Sequence, residues 1–232
     1  MTSVRPLRED GTVALISASL DSEKSLDHLL CGTELERAAR FKSSRHRRRF
    51  VTARGLLRSQ LAERTGVPAR DLVFATNDFG KPHLVGHPHV AFNVSHSEDL
   101  ALFAFASDCE IGVDVEHLRP LDPLALATSY FSEPERRELE ELAPSLRLQA
   151  FFDGWVRKEA VIKADGRGMS MPLDSFSVSL MGGPRLYVSP PDQPAGTTWE
   201  MHSVEVGASA RAALAVMRPS PLTESLLAGA ES

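Results

Sequence analysis

Three acidic residues and one lysine carry the chemistry that this chain offers. Along Trp155-Val156-Arg157-Lys158-Glu159-Ala160-Val161-Ile162-Lys163, a turn of about 100° per residue puts Phe151, Phe152, Trp155, Glu159, Ile162 and Lys163 on one helix face. That face is apolar apart from one carboxylate and one ammonium. On an ordinary solvated face, such an i,i+4 pair stabilises a helix by only ~0.2–0.5 kcal/mol. Set within an aromatic stripe, it calls for a strong partner such as a metal or a phosphate. Upstream, Ile111-Gly112-Val113-Asp114-Val115-Glu116 alternates as a strand. Asp114 and Glu116 then share one face, their Cα atoms about 6.5–7 Å apart, while Val113 and Val115 share the other. Alternation of this kind usually marks a solvated face. It also supplies half of a Mg2+ site, because that ion takes oxygen ligands and substrate phosphates.

Positive charge sits on three further segments. Ser43 can cap a long helix ending near Gly66-Val67-Pro68, on which Arg47, Phe50, Val51, Arg54, Leu57 and Leu61 fall on one side. Arg47 and Arg54 either snorkel to water along their apolar stems or clamp a phosphate. In the turn Asn77-Asp78-Phe79-Gly80-Lys81-Pro82, Gly80 can take positive φ and Lys81 follows it directly. In Phe92-Asn93-Val94-Ser95-His96-Ser97, Ser95 and His96 point to opposite faces of an extended segment, and no G-x-S-x-G elbow surrounds the serine. A serine hydrolase is therefore a poor fit, and His96 reads as a hydrogen-bond donor. His83, His87 and His89 lie in a Pro- and Gly-containing loop without Cys or Glu ligands, which disfavours zinc.

The elements that would hold these residues alternate between helices and hairpins. Val13 to Ile16 reads as a strand, Asp21 to Leu30 as a short helix, and Thr33 with Glu36 as a capping box. Leu100 to Ala106 is a near-continuous apolar strand, expected to form a hairpin with residues 111–116. Ser132 and Glu135 cap another helix, and Ser145 can open the helix bearing Glu159, which ends at Asp165-Gly166. Strands follow at 175–180, 185–189, 199–206 and 211–217. The order of elements suggests an N-terminal half over 1–110, a C-terminal half over 111–217 and a frayed tail over 218–232.

Composition narrows the class. The chain has 232 residues, 42% hydrophobic and 25% charged, enough for a sizeable core. No apolar run approaches the ~20 residues of a membrane span, and residues 1–5 lack the apolar core of a secretory signal, so a cytoplasmic protein is expected. Cys31 and Cys109 are far apart and read as reduced. A net charge of −5 argues against general nucleic-acid binding, so any polyanion site must be local.

Taken together, Phe79-Gly80-Lys81-Pro82, Phe92 to Ser97, Ile111 to Glu116 and Trp155 to Lys163 resemble the motifs of the Sfp-type 4'-phosphopantetheinyl transferases, in the same order and with similar separation. The resemblance runs from about residue 11 to residue 217. It implies an α+β fold, a pseudo-twofold pair of similar α/β halves with coenzyme A and Mg2+ (Mn2+ being possible) in the cleft between them. It implies transfer of phosphopantetheine to a serine of an apo acyl or peptidyl carrier protein, releasing adenosine 3',5'-bisphosphate, by a monomer that needs no membrane or nucleic acid. By the same resemblance, Asp114, Glu116 and Glu159 match the metal ligands, and Lys163 matches the lysine near the reacting phosphate. Ser95 and His96 match a cofactor-contacting pair, Lys81 a basic residue at the nucleotide end, and Arg47 and Arg54 fall in the basic helix. Glu159 is the first choice to accept the serine proton and Glu116 the second. Lys158 could assist or be solvated, and Arg167, Met169 and Met171 could meet the carrier. Two other readings use fewer of these features: a Mg2+-dependent nucleotide phosphohydrolase, and a non-catalytic module binding nucleotide or RNA through Arg45 to Arg49.

Overall fold

The computed structural model describes residues 5–9, 13–22 and 24–218. In chain order, the first half comprises β1 (Arg5–Glu9), β2 (Val13–Ser19), α1 (Gly32–Ala39), α2 (Ser44–Thr65), β3 (Phe74–Thr76), β4 (Pro82–Leu84), β5 (Val90–Ser97) and β6 (Leu100–Ser107). The second comprises β7 (Glu110–His117), α3 (Pro123–Tyr130), α4 (Glu133–Glu141), α5 (Pro144–Asp165), β8 (Ser177–Val178), β9 (Leu186–Val188), β10 (Thr198–Ser203) and β11 (Ala210–Arg218). One antiparallel sheet runs β1-β2-β6-β5, the other β10-β11-β7, with β3-β4 and β8-β9 as small hairpins. Each half thus repeats a strand, helices, a small hairpin and a hairpin of the main sheet. The long helices α2 and α5 both have 22 residues and both stop at a left-handed glycine, Gly66 at φ 72° and Gly166 at φ 85°. The fold is a pair of similar α/β halves.

Hydrophobic burial stacks these parts as helix, sheet, sheet, helix. Leu57 and Leu61 of α2 pack on Phe92, Phe103 and Phe105. Leu102, Ala104 and Ala106 of β6 turn the other way, onto Ile111, Val113 and Val115 of β7 and Leu214 and Val216 of β11. The opposite face of β11, Ala213 and Ala215, meets Val156, Ala160, Val161 and Ala164 of α5. Because β6 is covered on both faces, its apolar run is continuous instead of alternating.

Three expectations need correcting. β6 and β7 do not form a hairpin: both edges of β6 are taken by β2 and β5, so the chain changes sheet between them, through Asp108 at φ 58°, and β7 pairs with β11. Where a helix is expected from Asp21 to Leu30, the described residues form a single tight turn at Asp27–Leu29, and Arg45 and Arg49 hold Asp21 outside it. The capping box of α1 is Cys31 with Glu34, two residues before the expected pair. Arg218 closes β11, and the tail expected beyond it lies outside the described residues.

Gly112 fixes how closely α5 approaches β7. A Cβ there would run into the Ala160 carbonyl oxygen and the Ala164 nitrogen, both backbone atoms of α5. Gly112→Ala is therefore expected to destabilise the protein by about 1–3 kcal/mol, read as a lower thermal midpoint. An unchanged midpoint would mean that the helix recedes freely.

Candidate active site

The acidic face of β7 meets the charged face of α5. Lys163 Nζ lies 2.6 Å from Asp114 Oδ1 and also donates to Ser95 Oγ at 3.2 Å and the Val113 carbonyl at 3.3 Å. Ser95 donates its proton to Asp114 Oδ1 at 2.8 Å and accepts the Val115 N–H. Its hydroxyl thus serves Asp114 and the strand rather than an open cavity. Asp114 is only 4% exposed, and its Oδ2 makes no hydrogen bond within the chain. Burial pushes its carboxyl above the ordinary range, against the pull of Lys163 and Ser95 and with help from Glu116. Glu159 is raised for the same first reason, burial, and then by Asp114 and Glu116, with Lys163 opposing. The two carboxyls therefore resist ionising together.

Among the described residues, no trio of His, Cys, Asp or Glu stands as a ready-made metal cluster. The donor set nonetheless fits Mg2+ in kind: it is all oxygen, and it includes a buried carboxylate atom left without a partner. Glu116 is held less tightly, accepting from Ser97 Oγ at 3.1 Å and Arg119 Nη1 at 3.1 Å.

Lys163, which bonds Asp114, also lines a cavity of about 400 Å3 between the halves. Arg54, Leu57, Phe92 and Asn93 line it from the first half together with the turn Phe79-Gly80-Lys81-Pro82, and Ile162, Lys163 and Gly166 line it from the second. That turn is latched to α5: Asn77 Nδ2 donates to the Gly166 carbonyl at 2.9 Å, and Lys81 Nζ to the Ala164 carbonyl at 2.9 Å. The Lys81 ammonium also pairs with Glu110, so its charge is already engaged within the chain. Arg54 stacks on Phe74 at 3.9 Å and pairs with Glu34, which Arg58 bonds from the buried side at 2.6 Å. Burial works against the Glu34 charge, but the bonds from Arg58 and Arg54 prevail and hold its carboxyl below the ordinary range.

A second cavity, about 450 Å3, adjoins the first through Phe50 and Ala53 and is lined by Arg37, His46, Arg49 and His96 together with Glu98, and Arg49 also bonds Asp21 at 2.8 Å. Of the expected basic residues, His96 stands here and Arg54 in the first cavity. Arg47 stands in neither; it bonds Asp27 at 2.7 Å on another flank of α2. The sequence names His46 and Arg49 only within the run Arg45 to Arg49 of the nucleotide- or RNA-binding alternative and not for the coenzyme A site, yet both line the cavity with Phe50 and Ala53. Their spacing of i, i+3, i+4 and i+7 was the available signal. Lys158 is neither solvated nor in the cleft but fully buried on the far side of α5, against Glu135 at 2.8 Å. Of the three residues expected to meet a carrier, Arg167 is bonded to Asp165 and the Pro191 carbonyl, Met171 is buried, and Met169 is 74% exposed.

Residues 110–216 match the model of the 4'-phosphopantetheinyl transferase superfamily, and residues 21–108 match that of the 4'-phosphopantetheinyl transferase N-terminal region. The 4'-phosphopantetheinyl transferase ffp of Bacillus subtilis is 32% identical over 215 residues, 93% of this chain and 89% of that protein. The 4'-phosphopantetheinyl transferase Sfp of Bacillus subtilis strain 168 is 31% identical over 172 residues, covering 74% of this chain and 76% of its own. Among solved structures, the Chronobacterium ammoniagenes ACPS-CoA complex aligns at 19% identity and a TM-score of 0.37, over 48% of this chain and 98% of that one.

Proposed function

The chain belongs to the 4'-phosphopantetheinyl transferase superfamily and is an enzyme of that class, and from this premise we propose that it is of the Sfp type. Its reaction moves the 4'-phosphopantetheine of coenzyme A to a serine of an apo acyl or peptidyl carrier protein and releases adenosine 3',5'-bisphosphate. The observation that carries this reading is the buried, unpartnered Asp114 oxygen beside Lys163, a lysine that lines a cavity adjoining one lined by Arg37, His46, Arg49 and His96. Coenzyme A carries a diphosphate and a separate 3'-phosphate. Two adjoining cavities, one reached by Lys163 and Arg54 and the other by Arg37, His46, Arg49 and His96, suit those two anionic groups.

Asp114, Glu116 and Glu159 are the residues that would hold Mg2+, or Mn2+ in its place, and the bound ion supplies neutralisation of the diphosphate. The chain's own groups do the rest by position and charge. Lys163, one turn beyond Glu159, stabilises the negative charge that builds on the departing bisphosphate. Glu159 accepts the proton of the attacking carrier serine, with Glu116 as the other carboxylate in reach of that role. The exposed Phe79, which lines the cavity, and the exposed Met169, next to the lining residue Gly168, offer apolar contact to the carrier. Among the described residues no helix is long and apolar enough to cross a membrane; a monomer working in the cytoplasm completes the proposal.

Intact mass of an apo carrier protein, incubated with coenzyme A, Mg2+ and this protein, tests the reading. The expected result is a gain of one phosphopantetheine group, abolished by a chelator. Coenzyme A consumed across a panel of carriers without any gain would establish a phosphohydrolase using the same carboxylates with water as nucleophile. Neither gain nor consumption would overturn both.

A further inference from the structure

β5 and β7 are the facing edges of the two sheets, and side chains join them. Three β7 amides donate to β5 side chains: Val113 N–H to Asn93 Oδ1 at 2.9 Å, Val115 N–H to Ser95 Oγ at 3.3 Å, and His117 N–H to Ser97 Oγ at 3.0 Å. Each pair is separated by 20 residues in sequence, so the two strands run parallel and in step. Every second β5 residue thus supplies the acceptor that a neighbouring strand's carbonyl would supply in a continuous sheet.

The three positions differ in one respect. An amide oxygen can only accept, whereas a hydroxyl accepts and still has a proton to donate. Ser95 gives its proton to Asp114 Oδ1 at 2.8 Å, and Ser97 gives its proton to Glu116 Oε2 at 3.1 Å. Each serine therefore receives an N–H from the residue after a carboxylate and returns a hydrogen bond to the carboxylate itself. Asn93 belongs to the same seam but touches no carboxylate in this way.

Resting on the reading of Asp114 and Glu116 as cation ligands, we propose that Ser97 is a positioning residue for Glu116, as Ser95 is for Asp114. The strand seam is then also the device that aims the acidic pair. A glutamate side chain has three rotatable bonds, and fixing one oxygen with a hydroxyl bound to the neighbouring strand removes much of that freedom before the ion arrives. The serine spacing of two matches the carboxylate spacing of two because both follow the period of a strand.

Titration of the substrate-free full chain with Mn2+, followed by electron paramagnetic resonance, tests the assignment without relying on turnover. Ser97→Ala is expected to weaken Mn2+ binding about tenfold, and Ser97→Thr, which keeps the hydroxyl, to stay within about twofold of wild type. Asn93→Ala removes a seam bond without touching either acidic residue, so it should lower the thermal midpoint and weaken Mn2+ binding clearly less than Ser97→Ala does. Ser97→Ala binding as tightly as wild type, or weakened no more than Asn93→Ala, would overturn the role of Ser97. If wild type still modifies the carrier in that case, the proposed function stands without it. Wild type that binds no Mn2+ would overturn both the cation site and the positioning role.

Discussion

Glu159→Gln is expected to lower kcat for carrier modification by about 10²–10⁴-fold without destabilising the fold. Glutamine keeps the size of the side chain but neither accepts the serine proton nor brings charge to a cation. Stability should move the other way. Burial, Asp114 and Glu116 raise the folded-state pKa of Glu159 above the ordinary value of 4.5. A group raised in this way binds more protons in the folded chain than in the unfolded one, so stability falls as pH rises from 4.5 to the folded value. Cation-free wild type should therefore lose stability as pH climbs out of the acid range, and Glu159→Gln should lose less. Thermal midpoints taken in chelator from acid to neutral pH check that slope, and single-turnover rates check the kcat. A rate loss below tenfold would move the proton acceptor to Glu116.

What could be read from the sequence, and what could not, follows the range of the interactions involved. The faces of β7 and α5 were legible because each rests on a single local period: Val113 and Val115 do enter the core between the sheets, and Asp114 does turn toward Lys163. The end of α5 was equally local, since a glycine at φ 85° completes it. The sheet change between β6 and β7 was not legible. A short turn looks alike whether its strands pair or part, and what separates them is that β2 and β5 already occupy β6. On α2, phase decided the matter: the cavity is faced by His46 and Arg49, while Arg47, one step of about 100° from His46, points to Asp27. Lys81 shows another kind of limit. Its motif is visible, but its engagement by Glu110 and by the Ala164 carbonyl depends on residues 29 and 83 positions away.

Lys158 makes the same point energetically. Its ammonium, fully buried, bonds Glu135 Oε2 at 2.8 Å and the carbonyls of Leu173 and Phe176 at 2.7 and 2.8 Å. Glu135 in turn accepts the Ser132 N–H at 2.7 Å and the Val178 N–H at 2.8 Å. One pair thus joins α4, α5 and the segment leading into β8, and it grips α5 on the side away from Glu159 and Lys163. As a whole such a pair adds little net stability, because desolvating both charges offsets their attraction; removing one partner is another matter, since it strands the other charge. Lys158→Met is accordingly expected to cost about 3–5 kcal/mol, lowering the thermal midpoint by roughly 6–20 °C. Adding Glu135→Gln discharges the stranded carboxylate while keeping one acceptor, so the double variant should be less destabilised than the sum of the two single changes. A lysine acting on the reacting phosphate would behave differently: Lys158→Met would lose turnover at an unchanged midpoint. Midpoints of the two single variants and the double variant, read beside kcat at a temperature where all are folded, separate a clamp behind the catalytic helix from a charge in front of it.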